Sequence, residues 1–481
     1  MLFNSFPFLS LFAVFVAVYY ATPHRFRWPL LLAASLGFYA TFSPVHVLLL
    51  LGITAVAYVA ALAIDDADNF RRRRQALLAG CSLSLAVLVF FKYYEFFADA
   101  VGVPLQQLGV KREAMFPRLD LLVPVGLSFY TLSAISYVAD VYARRLRAER
   151  HAGTVGLYLA FFPKLLAGPI ERATPFLAQV LRPVPFNAAG VTAGLQLMLW
   201  GLVKKVVIAD RLALFVNSAY AQPAFASPAD LVIATYFFAF QLYCDFSGYS
   251  DIAIGAARVL GFDLTENFRR PYLATSVREF WTTRWHISLA VWFRDYLYIP
   301  LGGNRRSRVR TYLNAMAVFL ASGLWHGANW TFLVWGGLNG LYVVASMMLG
   351  DVRGKASNLV RLPKALTSLA AGVVTFHLIL ITWVFFRAAS IADARTILAR
   401  VAASAGDLPR LLQARMTGTV LLSLGLVVVL LIAELVDERR PMWSSLRAQP
   451  IVVRWAVYYV LLIALVVLGN WNVSQFVYMQ F

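Results

Sequence analysis

Apolar runs of near-bilayer length, separated by short arginine-rich loops, constrain this chain more than any other feature. The runs lie near 5–21, 28–42, 45–64, 77–98, 122–142, 311–324, 329–349, 366–386, 417–436 and 451–471. A helix needs about 20 apolar residues to cross a hydrocarbon core of about 30 Å. In lipid, only helices and closed barrels satisfy their own backbone groups. The pattern predicts an all-α polytopic membrane protein with roughly ten to thirteen transmembrane helices. Hydrophobic residues make up 60% of the chain and charged residues 14%, against roughly 25% charged in soluble proteins.

The basic residues encode topology. Arg25 and Arg27, then Arg71 to Arg74, then Arg144, Arg145, Arg147 and Arg150 occupy alternate loops. The loop at 43–44 has no Lys or Arg. The positive-inside rule places the N-terminus outside and these arginines in the cytoplasm. Basic loops 303–310, 351–364 and 437–450 fit the same side. The connection 387–416 does not: the alternation puts it outside, yet it carries Arg395, Arg400, Arg410 and Arg415. A surface amphipathic helix would accommodate them. The net charge of +19 is thus a property of loops, and no nucleic-acid partner is expected. The apolar start, Met1 to Ala21, lacks a basic leader and reads as a retained first span. Cys81 and Cys244 stand in apolar surroundings and read as buried thiols.

The middle, 153–310, is broken by Pro and Gly, as in Phe162-Pro-Lys-Leu-Leu-Ala-Gly-Pro169 and Asp245-Phe-Ser-Gly-Tyr-Ser-Asp251. Irregular backbone survives at membrane depth only where protein or a water-filled cavity satisfies it. Re-entrant or in-plane helices around a central cavity or tunnel are therefore expected here. The whole, 1–481, reads as a single integral-membrane domain. It comprises N-terminal spans (1–121), a core (122–350) and C-terminal spans (351–481). No pair of matching broken segments marks the two halves of a transporter.

Chemistry concentrates in a few places. His326 lies in Ser322-Gly-Leu-Trp-His-Gly-Ala-Asn-Trp330. An ionisable group at membrane depth is costly and points to function, and imidazole moves protons near neutral pH. It can also simply bridge two helices. Trp325 and Trp330 could wall a cavity. His286 stands in Phe280-Trp-Thr-Thr-Arg-Trp-His286, close to Arg294 and Asp295. It could orient the first histidine, bind substrate or be structural. Asp245 and Asp251 offer either an acid–base pair or, the favoured reading, a clamp for Arg269, Arg270 or Arg284; Asp245 and Ser247 are also candidates to bind substrate. Arg294 to Arg306, through Gly302, Gly303, Asn304 and Arg305, forms a basic turn suited to phosphate. A helix stop followed by topology arginines accounts for the same letters. Lys164 reads as a snorkelling lysine. No metal site is expected: H-E-x-x-H, Walker A and G-x-S-x-G are all missing.

In this order, several segments resemble the membrane-bound O-acyltransferase family, in particular its bacterial alginate O-acetylation branch. They are Pro124-Val-Gly-Leu-Ser-Phe-Tyr-Thr131, Phe162–Pro169, Asp245–Asp251, Asn267-Phe-Arg-Arg-Pro-Tyr272, Phe280–His286, Phe293-Arg-Asp-Tyr-Leu-Tyr-Ile-Pro-Leu-Gly-Gly-Asn-Arg305, Gly323-Leu-Trp-His-Gly-Ala328 and Trp383-Val-Phe-Phe-Arg387. The resemblance implies an O-acyltransferase with His326 as catalytic histidine and His286 at the second polar position. Trp335-Gly-Gly-Leu-Asn-Gly340 is similar to a family segment with histidine where this chain has Asn339. That position therefore carries no titrating ring. The implied donor is cytoplasmic acetyl-CoA or another acyl thioester, with no bound cofactor, and the arginines at 305–310 would meet its phosphates. The implied acceptor is an exported polysaccharide, reached directly or through a periplasmic acyltransferase or esterase-like partner at the bacterial inner membrane. His326 would then deprotonate the acceptor. Asn329, Asn339 and N–H groups near Gly327 are candidates to steady the oxyanion. The alternative is a polysaccharide or lipid transporter, or an export-complex scaffold, without chemistry. It would leave both aromatic-flanked histidines without a task.

Overall fold

The computed structural model describes residues 1–106, 115–119, 121–349, 363–471 and 476–477. Among them the ordered elements are helices, and no β-strand forms. Eight helices are long and apolar enough to cross a membrane: Pro44–Asp65, Phe70–Gly102, Ala188–Ala221, Pro228–Val259, Trp330–Met348, Ala365–Arg387, Gly418–Arg439 and Ile451–Leu468. This is an all-α, multi-pass membrane protein. Among the described residues, other apolar runs form shorter helices. Phe6–Ala21 and Leu127–Tyr142 have 16 residues each, about 24 Å of rise. The basic loop expected at 351–364 lies almost wholly outside the described residues.

The largest departure from the sequence reading is in the middle. Two of the longest spans, Ala188–Ala221 and Pro228–Val259, lie within the region expected to hold only broken segments. Pro228–Val259 is the central helix, with 89% of its most apolar window buried. Pro228 stands in its first turn, where a missing N–H costs nothing, and Ser227 Oγ accepts from Asp230 N–H at 3.1 Å. Asp245 to Asp251, expected to interrupt the chain, runs through the helix unbroken.

Two features make that possible. The first is close packing through small residues, as in other membrane helix pairs. Gly194 and Gly201 on one helix face Gly255 and Gly248 on the other. A Cβ on Gly201 would meet Gly248 O at 2.6 Å, and one on Gly255 would meet Gly194 O at 2.5 Å. The second is charge pairing. Lys205 Nζ lies 2.6 Å from Asp245 and 2.8 Å from Asp210. Lys204 lies 2.6 Å from Asp251 and donates to Ser247 Oγ at 3.0 Å. Both lysines sit in a π-helical stretch, Val203–Ala209, of the kind often found at functional sites. The aspartates are thus clamped by lysines and not by the expected arginines. Arg269 pairs with Glu266, Arg270 with Asp437 and Glu438, and Arg284 with Glu279 and Glu438.

In the middle region, the chain is broken into short helices between 152 and 180 and between 271 and 298. The connection 387–416 contains a helix, Ile391–Ala403, with Ala394 and Ile397 buried. Two of its exceptional arginines turn onto the protein. Arg400 donates to Ala226 O at 2.8 Å, and Arg415 lies 3.2 Å from Asp230. Lys164 is buried over Tyr158, 4.1 Å from the ring centroid, and does not reach solvent as a snorkelling lysine would.

Candidate active site

His326 is the last residue of the helix Arg308–His326, which Ser307 caps by accepting from Arg310 N–H at 3.3 Å. The chain then turns extended at Gly327, and Asn329 caps the next helix by accepting from Thr331 N–H at 3.0 Å. These two helices meet at Gly323 and Gly336, where any added methyl would overlap the facing backbone. The carbonyl end of Arg308–His326 is held by the span Phe70–Gly102. Lys92 Nζ donates to Trp325 O at 2.8 Å and His326 O at 3.1 Å, and Tyr93 Oη donates to Leu324 O at 2.6 Å. A cation at a helix C-terminus is the favourable arrangement for the helix dipole. Trp325, Trp335 and Phe386 surround the imidazole, with ring centroids 5.0, 4.9 and 5.4 Å away.

His286 lies at a turn between short helices with φ 45 and ψ 53. A non-glycine residue in this left-handed region costs about 1–2 kcal/mol, and such strain gathers at functional sites. Its Nδ1 is 3.0 Å from Asn267 Oδ1. Ile287 N–H donates to Asn267 O at 2.9 Å. Phe246, Phe129 and Phe268 pack on the ring. Trp325 stands against both imidazoles, 5.9 Å from His286 and 5.0 Å from His326.

Both histidines line one cavity of about 400 Å³. They are only 2% and 4% exposed, whereas Arg278, Thr282, Thr283 and Arg294 at its rim are open to the exterior. Trp281, Phe319 and Ser322 line the wall between. The result is an apolar funnel with a cationic mouth and imidazoles at its base. Arg294 Nε and Arg172 Nη2 share Asp295, at 2.7 and 2.8 Å. Below the rim, Arg284 ties the turn to Glu279. Burial raises the Glu279 carboxyl, but the Thr275 N–H, Arg284 and the Thr275 hydroxyl outweigh it and hold it below the usual range.

Of the residues singled out in the sequence, His326, His286 and Arg294 come together here. Trp325 backs them. Asn339 accepts from Trp281 Nε1 at 2.9 Å and donates to Trp335 O at 2.8 Å, so it braces the wall. Asn329 is a helix cap whose amide reaches Ala389 O; it does not line the cavity. Nor do Asn304 and Arg305, which lie exposed on the turn after Tyr298. Asp245 and Ser247 are committed to the lysine cluster and are likewise absent from the cavity lining. Sequence reasoning missed Arg278, Tyr298 and Lys92. A lysine within the apolar run 77–98 was a legible signal; Arg278 and Tyr298 were not distinguishable from other polar residues near a turn. Among the described residues, no group of three or more His, Cys, Asp or Glu gathers to hold a metal.

Two imidazoles thus lie sunk beneath a basic mouth in a helical membrane body. The chain belongs to the membrane-bound O-acyltransferase (MBOAT) family, whose sequence profile matches residues 151–390, and it is an acyltransferase. It is 40% identical to the probable alginate O-acetylase AlgI of Pseudomonas aeruginosa, over 81% of this chain and 72% of that protein. It is 34% identical to a peptidoglycan O-acetyltransferase of Helicobacter pylori, over 80% of this chain and 75% of that protein. A teichoic acid D-alanyltransferase of Bacillus subtilis is 25% identical over 55% of this chain and 68% of its own length.

Proposed function

We propose that this protein takes an acetyl group from cytoplasmic acetyl-CoA and passes it across the bacterial inner membrane for O-acetylation of an exported polysaccharide. Transfer is either direct or through a periplasmic acyltransferase or esterase-like partner. The observation that carries the reading is the single cavity joining His326 and His286 to a rim bearing Arg278 and Arg294. A donor ending in phosphates suits that rim, since guanidinium groups bind phosphate bidentately. The similarity to O-acetylases of exported glycans supports the acetyl group and the acceptor class. The arginine-rich loops support a cytoplasmic mouth and a periplasmic N-terminus.

In this mechanism the thioester enters along the apolar wall and its carbonyl comes to rest beside His326. His326 takes the proton of the acceptor hydroxyl as that oxygen bonds to the carbonyl carbon. The C–S bond then breaks, and the departing thiolate takes the proton from the imidazolium. Dry aromatic walls strengthen each polar contact in the funnel and keep water from the thioester. Asp245, Ser247, Asn304, Arg305 and Asn329 take no part at the reacting atoms. Asn339 acts through Trp281, as a brace.

Mass spectrometry of the exopolysaccharide tests the reading, in cells carrying the wild-type chain or His326→Ala at matched membrane levels. O-acetyl groups are expected to disappear in the variant, in line with the roughly 10²–10⁴-fold contribution of a general base. An unchanged acetyl content would overturn it.

A further inference from the structure

Asn267 is wholly buried, and its side chain has a single consistent orientation. Its Oδ1 accepts from Ser288 Oγ at 2.9 Å and from Ser288 N–H at 3.3 Å. Its Nδ2 donates to Ser250 Oγ at 3.1 Å on the central helix. Ser288 Oγ in turn accepts from Ile170 N–H at 3.0 Å, so its own proton is directed to Asn267. The backbone N–H of Ser288 can only donate, which fixes the atom it meets as oxygen. That same oxygen lies 3.0 Å from His286 Nδ1. Two acceptors cannot face each other at that distance, so Nδ1 carries the proton. In the neutral ring, Nε2 is then the acceptor.

The backbone repeats the arrangement. Asn267 O takes the N–H of Ile287 and Asn267 Oδ1 takes the N–H of Ser288. The two residues that follow the left-handed His286 thus both hang on Asn267. One buried side chain sets the ring's tautomer and its place in the cavity, and it anchors both to the central helix through Ser250.

We propose that Asn267 is a positioning residue for acyl transfer: it holds His286 in its left-handed turn as the Nδ1–H tautomer, leaving Nε2 as the ring's proton- or hydrogen-bond-accepting atom. This rests on the reading that His286 and His326 serve the transfer. Asn267 touches neither donor nor acceptor; it acts through His286. Partners that orient a metal-ligating histidine typically contribute 10- to 100-fold, and a comparable effect is expected where the oriented ring serves acyl transfer.

The test is kinetic and spectroscopic, on the purified full chain in detergent. Measured at a temperature where the variant is still fully folded, Asn267→Ala is expected to lower kcat at least about tenfold with the donor KM within about threefold. Asn267→Asp keeps the acceptor oxygen and is expected to recover most of that loss. Ser250→Ala, which removes only the far anchor, is expected to cost less than Asn267→Ala. In ¹³C-histidine-labelled protein, the Cδ2 shift of His286, assigned by its loss in His286→Ala, should report the Nδ1–H tautomer and change in Asn267→Ala. A wild-type Nε2–H tautomer would overturn the proposal, as would Asn267→Ala retaining full kcat while His326→Ala is inactive. If His326→Ala and His286→Ala both retain full activity, the reading of the site itself fails instead.

Discussion

Lys205 shows what single residues contribute to this membrane interior. It is 1% exposed and holds two aspartates, Asp210 and Asp245, from different helices. Removing one member of a buried pair strands the other charge and typically costs about 3–5 kcal/mol. Lys205→Met should therefore lower thermal stability sharply in a detergent melting assay. Lys205→Met combined with Asp245→Asn should recover part of the loss, because fewer charges are left unmatched. Asn339 makes a milder prediction. Asn339→Leu leaves the Trp281 N–H without its acceptor, at about 1–3 kcal/mol, and should weaken activity through the wall without abolishing it. At this scale the sequence exposed the two histidines well, since an imidazole directly after a tryptophan, as in Trp285-His286 and Trp325-His326, is conspicuous among apolar runs. It did not expose their supports. Lys92 and His326 lie 234 positions apart and Lys205 and Asp245 lie 40 apart; such pairings exist only once helices are packed.

At the scale of the element, the central helix is the clearest case of tertiary context overriding local pattern. Asp, Ser and Gly gathered within Asp245-Phe-Ser-Gly-Tyr-Ser-Asp251 favour turns when read locally. Within Pro228–Val259 the same residues supply charge partners and a glycine contact, and the helix continues. The reverse holds for the apolar run containing Leu127–Tyr142, which gives a short helix buried against its neighbours. Gly248→Leu should therefore drive Ala188–Ala221 from the central helix, with overpacking of about 1–3 kcal/mol or more, read as a lower melting temperature. Gly323→Ala is more informative for function. It separates the two helices that frame His326, so activity should fall at least about tenfold, since small misplacements of catalytic groups are expensive. The check is acetyl transfer measured at a temperature where the variant is still fully folded.

For the whole molecule, charge is graded from rim to base of the funnel. Arginines stand at its open end, aromatic rings line the middle and neutralisable imidazoles lie deepest. Arg278→Ala and Arg294→Ala should each raise the donor KM severalfold with little change in kcat, because they act in binding rather than at the reacting atoms. The effect should shrink as salt rises. This gradient was only half legible. The sequence placed arginines near 294–310, but which of them face the cavity depends on how the broken segment 271–306 folds over the helix Arg308–His326. Arg305 turned outward and Arg278, not singled out, faces in.

The most direct measurement uses proteoliposomes containing the purified chain, with labelled acetyl-CoA outside vesicles whose Arg-rich loops face out and a glycan acceptor or acetyl-accepting partner inside. The account predicts label on the internal acceptor with the wild-type chain and none above background with His326→Ala. Equal internal labelling by the two proteins would contradict it.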